Sequence, residues 1–146
     1  MTYRVRSADE RREEIQANAA RLGIDEAFVS QLVDTFYSRV RKHALLGPVF
    51  EAEIGDEWDA HLTRMKDFWS SVSMSTGRYS GKPMPAHMKL KGILPAHFNV
   101  WLAIFRQTLD DLTTDPETVG YFMERAERIA QSLQFGMFDL PGLPSR

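Results

Sequence analysis

The chain has no cysteine, and that one absence removes disulfides, thiolate metal centres, iron–sulfur clusters and the Cys-x-x-Cys-His attachment of a c-type haem. Any bound cofactor must be held without thioether links. Long apolar runs are missing too: no stretch approaches the roughly 18 residues of a membrane span. The opening MTYRVRSADERREE carries no apolar core of the kind a secretion signal has, so a cytoplasmic protein with no membrane partner is expected. Net charge is scarce as well. With 18 Lys and Arg against 20 Asp and Glu the formal charge is −2, and nucleic acid is not an expected partner. Glu-x-x-His, His-Glu-x-x-His, Gly-x-Ser-x-Gly and the Walker phosphate loop do not occur. Carboxylate-bridged di-iron sites, zinc proteases, serine hydrolases and P-loop enzymes therefore lack their minimal parts.

What is present is helical periodicity. At 146 residues and 43% hydrophobic composition the chain suits one domain with a sizeable core, and apolar residues recur at helix spacing with no competing run of alternation. The fold class expected is all-α. Ser7-Ala8-Asp9-Glu10 has the form of a capping box and Gly23 that of a stop, which predicts a polar leading helix over 8–22. Asp25 caps a second helix bearing Phe28, Leu32, Phe36 and Val40, with Tyr37 beside them. At HALLGPVF the chain turns on Gly47-Pro48 and Val49-Phe50 falls on a loop. Asp56 starts a third helix whose stripe is Trp58, His61, Met65, Phe68 and Val72. Pro95 starts a fourth, with Phe98, Trp101 and Phe105, and Asp115-Pro116 a fifth, which FDLPGLPSR cannot continue. The reading is four substantial helices and a weak leading one, with residues 77–94 irregular between the third and fourth.

That irregular segment, GRYSGKPMPAHMKL at its start, poses the functional question. Gly77, Gly81, Pro83 and Pro85 break regular structure, yet His87 sits among Met84, Met88 and Leu90, which are built for burial. One reading is a loop or core histidine satisfied by a backbone carbonyl. The other is a ligand: prolines supply no N–H, so carbonyls nearby are left to accept from one ring nitrogen and to orient the other toward a metal. Pro85 suits the start of a single helical turn carrying His87. His61, Tyr37 and Trp101 each project from an apolar helix stripe, where core packing with a satisfied polar tip is the plain reading. Together, three inward polar-tipped side chains and an irregular histidine suggest a lined pocket. His97, near a helix start, reads as a surface residue.

The succession FYSRVRKHALLGPVFEAEIG, DEWDAHLTRMKDFW, GRYSGKPMPAHMKL and FNVWLAIF, in that order and spacing, resembles the group III truncated haemoglobins, small two-over-two helical globins found mostly in bacteria. The resemblance runs from about residue 24 to about 137, leaving 1–23 as an N-terminal extension and 138–146 as a tail. It implies a noncovalent haem b with His87 as the proximal iron ligand. It implies Tyr37, His61 and Trp101 on the distal, ligand-binding side, and Phe50 packed on the porphyrin, with Trp69 further along the third helix. Arg64, one turn after His61, falls where related globins set a basic residue against a haem propionate. Met65, Phe68, Met88 and Phe98 supply further apolar contact.

The activity implied is reversible binding of oxygen, nitric oxide or carbon monoxide by a monomer fed by a reductase. Strong distal donors favour retention or chemistry over bulk transport. Two other readings stay open on the sequence: a peroxide-consuming haem enzyme in which His61 assists proton transfer, and a cofactor-free helical interaction module whose pocket residues are ordinary core.

Overall fold

Seven α-helices and a terminal π turn are laid down in order in the computed structural model, which describes residues 7–88 and 90–139. They are α1 (Ala8–Arg21), α2 (Glu26–Lys42), α3 (Leu46–Ile54), α4 (Trp58–Met74), α5 (Pro83–Met88), α6 (Pro95–Leu112) and α7 (Pro116–Gln134), followed by the π turn Phe135–Asp139. The pair α2 and α4 packs against the pair α6 and α7, with α2 on α6 as the main contact between the layers. This is an all-α, two-over-two sandwich. No described helix is long and apolar enough to cross a membrane.

Local chemistry sets most of the boundaries. Ser7 Oγ accepts from Glu10 N–H at 3.1 Å to open α1, and Gly23, at φ +74°, closes it in the left-handed region where a side chain would be strained. Only Ala19 of α1 is buried, as the polarity of that helix predicts, and α1 lies along α4. Asp25 Oδ1 accepts from Phe28 N–H at 2.8 Å to start α2, whose face of Val29, Leu32, Val33, Phe36, Tyr37 and Val40 is buried as one stripe. Each fully buried side chain of that size is worth roughly 1.5–3 kcal/mol. Asp115 accepts from Glu117 N–H at 3.0 Å at the head of α7, with Pro116 as its first residue.

Four expectations need correction. Val49 and Phe50 are not on a loop: they belong to α3. Pro48 is the third residue of that helix, where the amide it lacks has no partner to lose, and His43 Nδ1 accepts from Leu45 N–H at 3.0 Å and Leu46 N–H at 3.4 Å to cap the start. Residues 77–94 are not wholly irregular, because α5 runs from Pro83 rather than Pro85, with both prolines inside its first turn. The third expected helix begins at Trp58, without a side-chain cap, rather than at Asp56. The π turn Phe135–Asp139 carries the chain beyond α7 through Phe138 and Asp139, the first two residues of the FDLPGLPSR tail that reads as unable to continue the helix; the rest of that tail, 140–146, lies outside the described residues.

Candidate functional site

An aromatic ladder fixes the interior between the two layers. Trp69 stacks on Phe105 at 4.8 Å and Phe105 on Trp101 at 5.5 Å with only 6° between their planes. Phe36 then stands edge-on to Trp101 at 5.5 Å and to Tyr37 at 4.9 Å. Aromatic pairs in these geometries each add about 0.5–1.5 kcal/mol beyond area burial. The ladder therefore holds Trp101 of α6 and Tyr37 of α2 as parts of one packed unit.

Tyr37 is the junction between this ladder and the α3–α4 corner. Its ring meets Phe50 at 5.9 Å, Trp58 at 6.1 Å and His61 at 5.0 Å, the last edge-on at 89°. Burial pushes the phenol well above its ordinary titration range, so it keeps its proton and remains a donor. Beside it, His61 Nε2 and Trp58 Nε1 are buried with no hydrogen-bond partner among the described residues. An unpartnered buried group of this kind costs about 1–3 kcal/mol. Two in adjacent side chains, whose rings lie 5.5 Å apart, mark a place where the protein leaves polar capacity unspent.

His61 is held neutral. Burial first, then the positive charges of Arg64 and His87, lowers its pKa to about 4. Arg64 is exposed, one turn along α4, and its charge also reaches Tyr79, which packs edge-on against Phe68 at 5.0 Å.

His87 itself is oriented by the backbone. Its Nδ1–H donates to the Pro83 carbonyl at 2.7 Å, one turn back, which leaves Nε2 without a backbone claim. Leu90 N–H closes the end of α5 on the His87 carbonyl at 3.0 Å. The helix rests on a second apolar cluster, in which Phe98, Ile93, Ala130, Leu133 and Met137 are buried and Met84 and Met88 half-buried. Met65 and Phe68 are half-buried against the main core. The expected residues thus divide between two floors: Tyr37, Phe50, His61 and Trp101 on the main core, and Met88 and Phe98 with the α5 that bears His87 on the second.

Other features fall outside that division. A cleft of about 450 Å³ is lined by Asp34, Tyr37, Ser38, Arg41, Lys42, Glu51, Trp58 and Leu62, and Tyr37 is the one expected site residue in it. In it the Arg41 guanidinium covers the Trp58 ring at 4.3 Å. His97 is not a bare surface residue: half-buried, its Nδ1 accepts from Leu94 N–H at 3.0 Å and caps α6. Trp58 is the residue that sequence reading undervalued. It sits on the His61 stripe and is buried there as periodicity says, but its unpaired N–H gives no signal in a sequence.

Among the described residues no three His, Asp or Glu side chains gather as a metal site. A lone oriented imidazole holds a metal firmly only when most other ligands come from elsewhere, which is what a porphyrin provides. The chain is 30% identical over 122 residues to the group 3 truncated hemoglobin ctb of Campylobacter jejuni, covering 82% of this chain and 95% of that protein. The chain belongs to the group III truncated haemoglobins. The crystal structure of the group III truncated hemoglobin from Campylobacter jejuni superposes with a TM-score of 0.75 at 29% identity, over 82% of this chain and 96% of that one. A more distant member of the wider family, the group 2 truncated hemoglobin YjbI of Bacillus subtilis, is 25% identical over 116 residues, 80% of this chain and 88% of that protein. No family model matches the chain.

Fit to a haem is judged from this truncated haemoglobin's own residues. A cysteine-free interior rules out thioether attachment. One imidazole has Nδ1 committed to a backbone carbonyl, apolar side chains make up both clusters, and two buried polar atoms on α4 lack partners among the described residues. The donor set suits a planar apolar group with a polar ligand above it.

Proposed function

We propose that this globin binds haem b noncovalently and holds oxygen, nitric oxide or carbon monoxide reversibly, as a cytoplasmic monomer that relies on a separate reductase. When bound, the haem iron supplies an open coordination position for a diatomic ligand. His87 is the proximal ligand through Nε2, its Nδ1–H tied to the Pro83 carbonyl, a bond that fixes the ring and raises its basicity. Phe50, Met65, Phe68, Met88 and Phe98 are the apolar walls. Arg64, exposed at the rim, takes a propionate.

The observation that carries the reading is His61 Nε2, buried without a partner among the described residues on a ring whose centre lies 5.0 Å from that of Tyr37. A distal side with no use for a polar ligand would leave this nitrogen at a cost and without return. Tyr37, protonated across the accessible pH range, donates to a bound ligand; Trp101, locked on Phe105, presents an indole N–H from the other layer. His61 is neutral near pH 7, so its tautomer decides whether it donates to the ligand or accepts from Tyr37.

Oxygen titration of the reduced, haem-loaded protein tests the proposal. A stable oxygenated spectrum that reverts under vacuum supports it. Sustained turnover of hydrogen peroxide with an electron donor, and no reversible oxygenated state, would move the assignment to a peroxide-consuming enzyme.

A further inference from the structure

His87 is carried by a helix of six residues, too short to hold its own position, so the seat beneath that helix matters. The seat is the π turn Phe135–Asp139, which packs against α5. Within it, a Cβ added to Gly136 would lie 2.4 Å from Met84 Sδ and 2.5 Å from Met84 Cε. The thioether therefore occupies space that any other residue at 136 would fill. Met84 is half-buried against Phe98, Met137 and their neighbours, and it directly follows Pro83, whose carbonyl takes the His87 Nδ1–H at 2.7 Å. Gly136, Met84, the Pro83 carbonyl and the His87 ring form a continuous chain of contacts.

We propose that Gly136 is a positioning residue for His87: by yielding its Cβ space to Met84 it sets the place of the Pro83 carbonyl, and through that hydrogen bond the orientation and basicity of the imidazole. The inference rests on His87 being the haem ligand. The hydrogen bond from His87 to the Pro83 carbonyl, one residue before Met84, links the packing contact to the ring.

The test uses the full chain with ¹³C-methyl methionine and ¹⁵N histidine, first as apoprotein and then loaded with haemin and reduced. Gly136→Ala should shift the Met84 methyl resonance and the His87 Nδ1–H resonance of the apoprotein. In the loaded protein it should lower the iron–imidazole stretching frequency, because a weaker bond to Pro83 makes the ring less basic. Gln131→Ala, exposed on α7, should leave the His87 signals alone. A Met84 methyl that moves while the His87 resonances and the stretching band stay fixed would overturn the proposal, leaving Gly136 as packing only. If Gly136→Ala does not fold, Met84→Ala alone vacates the seat; unchanged His87 signals there overturn it equally. Wild-type protein that takes up no haemin would defeat the haem assignment instead, and the apoprotein resonances would still decide what Gly136 does.

Discussion

The Tyr37 ring stands edge-on to the His61 ring at 5.0 Å and 89°, with Trp58 5.5 Å from that histidine on its own helix. These contacts gather a protonated phenol, a neutral imidazole and an indole, the Nε2 of the one and the N–H of the other without partners among the described residues.

Tyr37→Phe keeps the packing against Phe36 and Phe50 and removes only the hydroxyl. A lost hydrogen bond of about 1–1.5 kcal/mol to bound oxygen should speed its dissociation about tenfold. Carbon monoxide, which carries little negative charge when bound, should leave at a nearly unchanged rate. Trp101→Phe should act in the same direction. Stopped-flow displacement on the reduced protein checks both; equal off-rates in wild type and variants would mean that the donors are satisfied within the protein.

The apoprotein should lose stability as pH falls from about 6.5 toward about 4. His61 binds its proton in the unfolded chain near its ordinary pKa of 6.5 but only near 4 when folded, so the unfolded state takes up more protons in that window. Above it the histidine is neutral in both states and the effect vanishes. His61→Leu should flatten this part of the profile, read from urea midpoints at several pH values; an unchanged slope would place the acid sensitivity elsewhere.

His43 and His97 cap helices. His43→Ala frees the amides of Leu45 and Leu46 at the head of α3, and His97→Ala frees Leu94 N–H at the head of α6. Each should cost about 1 kcal/mol of stability while leaving the haem spectrum as in wild type. Chemical denaturation and an absorption scan on each variant separate the two effects.

The haem should come away in acidified ketone, since no cysteine exists to hold it. Colour that stays with the polypeptide would contradict this.

What the sequence made legible follows from how local each feature is. Ser7, Asp25 and Asp115 cap the helices they are read to cap, because an N-cap bond spans only two or three residues. On α2 the expected Leu32, Phe36, Tyr37 and Val40 are buried and Phe28, at the helix start, is half-buried, because periodicity and burial are the same property seen twice. Proline is ambiguous in a sequence: Gly47-Pro48 reads as a turn, yet Pro48 falls inside the first turn of α3 where it is harmless, whereas Pro85 reads as starting a helical turn with His87 and lies in the first turn of α5. The capping roles of His43 and His97 were invisible because histidine is not a usual capping residue. The orphaned Trp58 nitrogen and the Met84–Gly136 contact come from tertiary geometry, which no local pattern records.

The central claim is that His87 holds a haem, and haemin titration of His87→Gly beside wild type tests it most directly. Wild type should take up haemin with a sharp endpoint and, when reduced, show a five-coordinate ferrous spectrum or a six-coordinate one with His61. His87→Gly should bind haemin weakly and regain the wild-type spectrum on addition of imidazole. A His87→Gly protein that binds haemin as wild type does, with a spectrum indifferent to imidazole, would contradict the account.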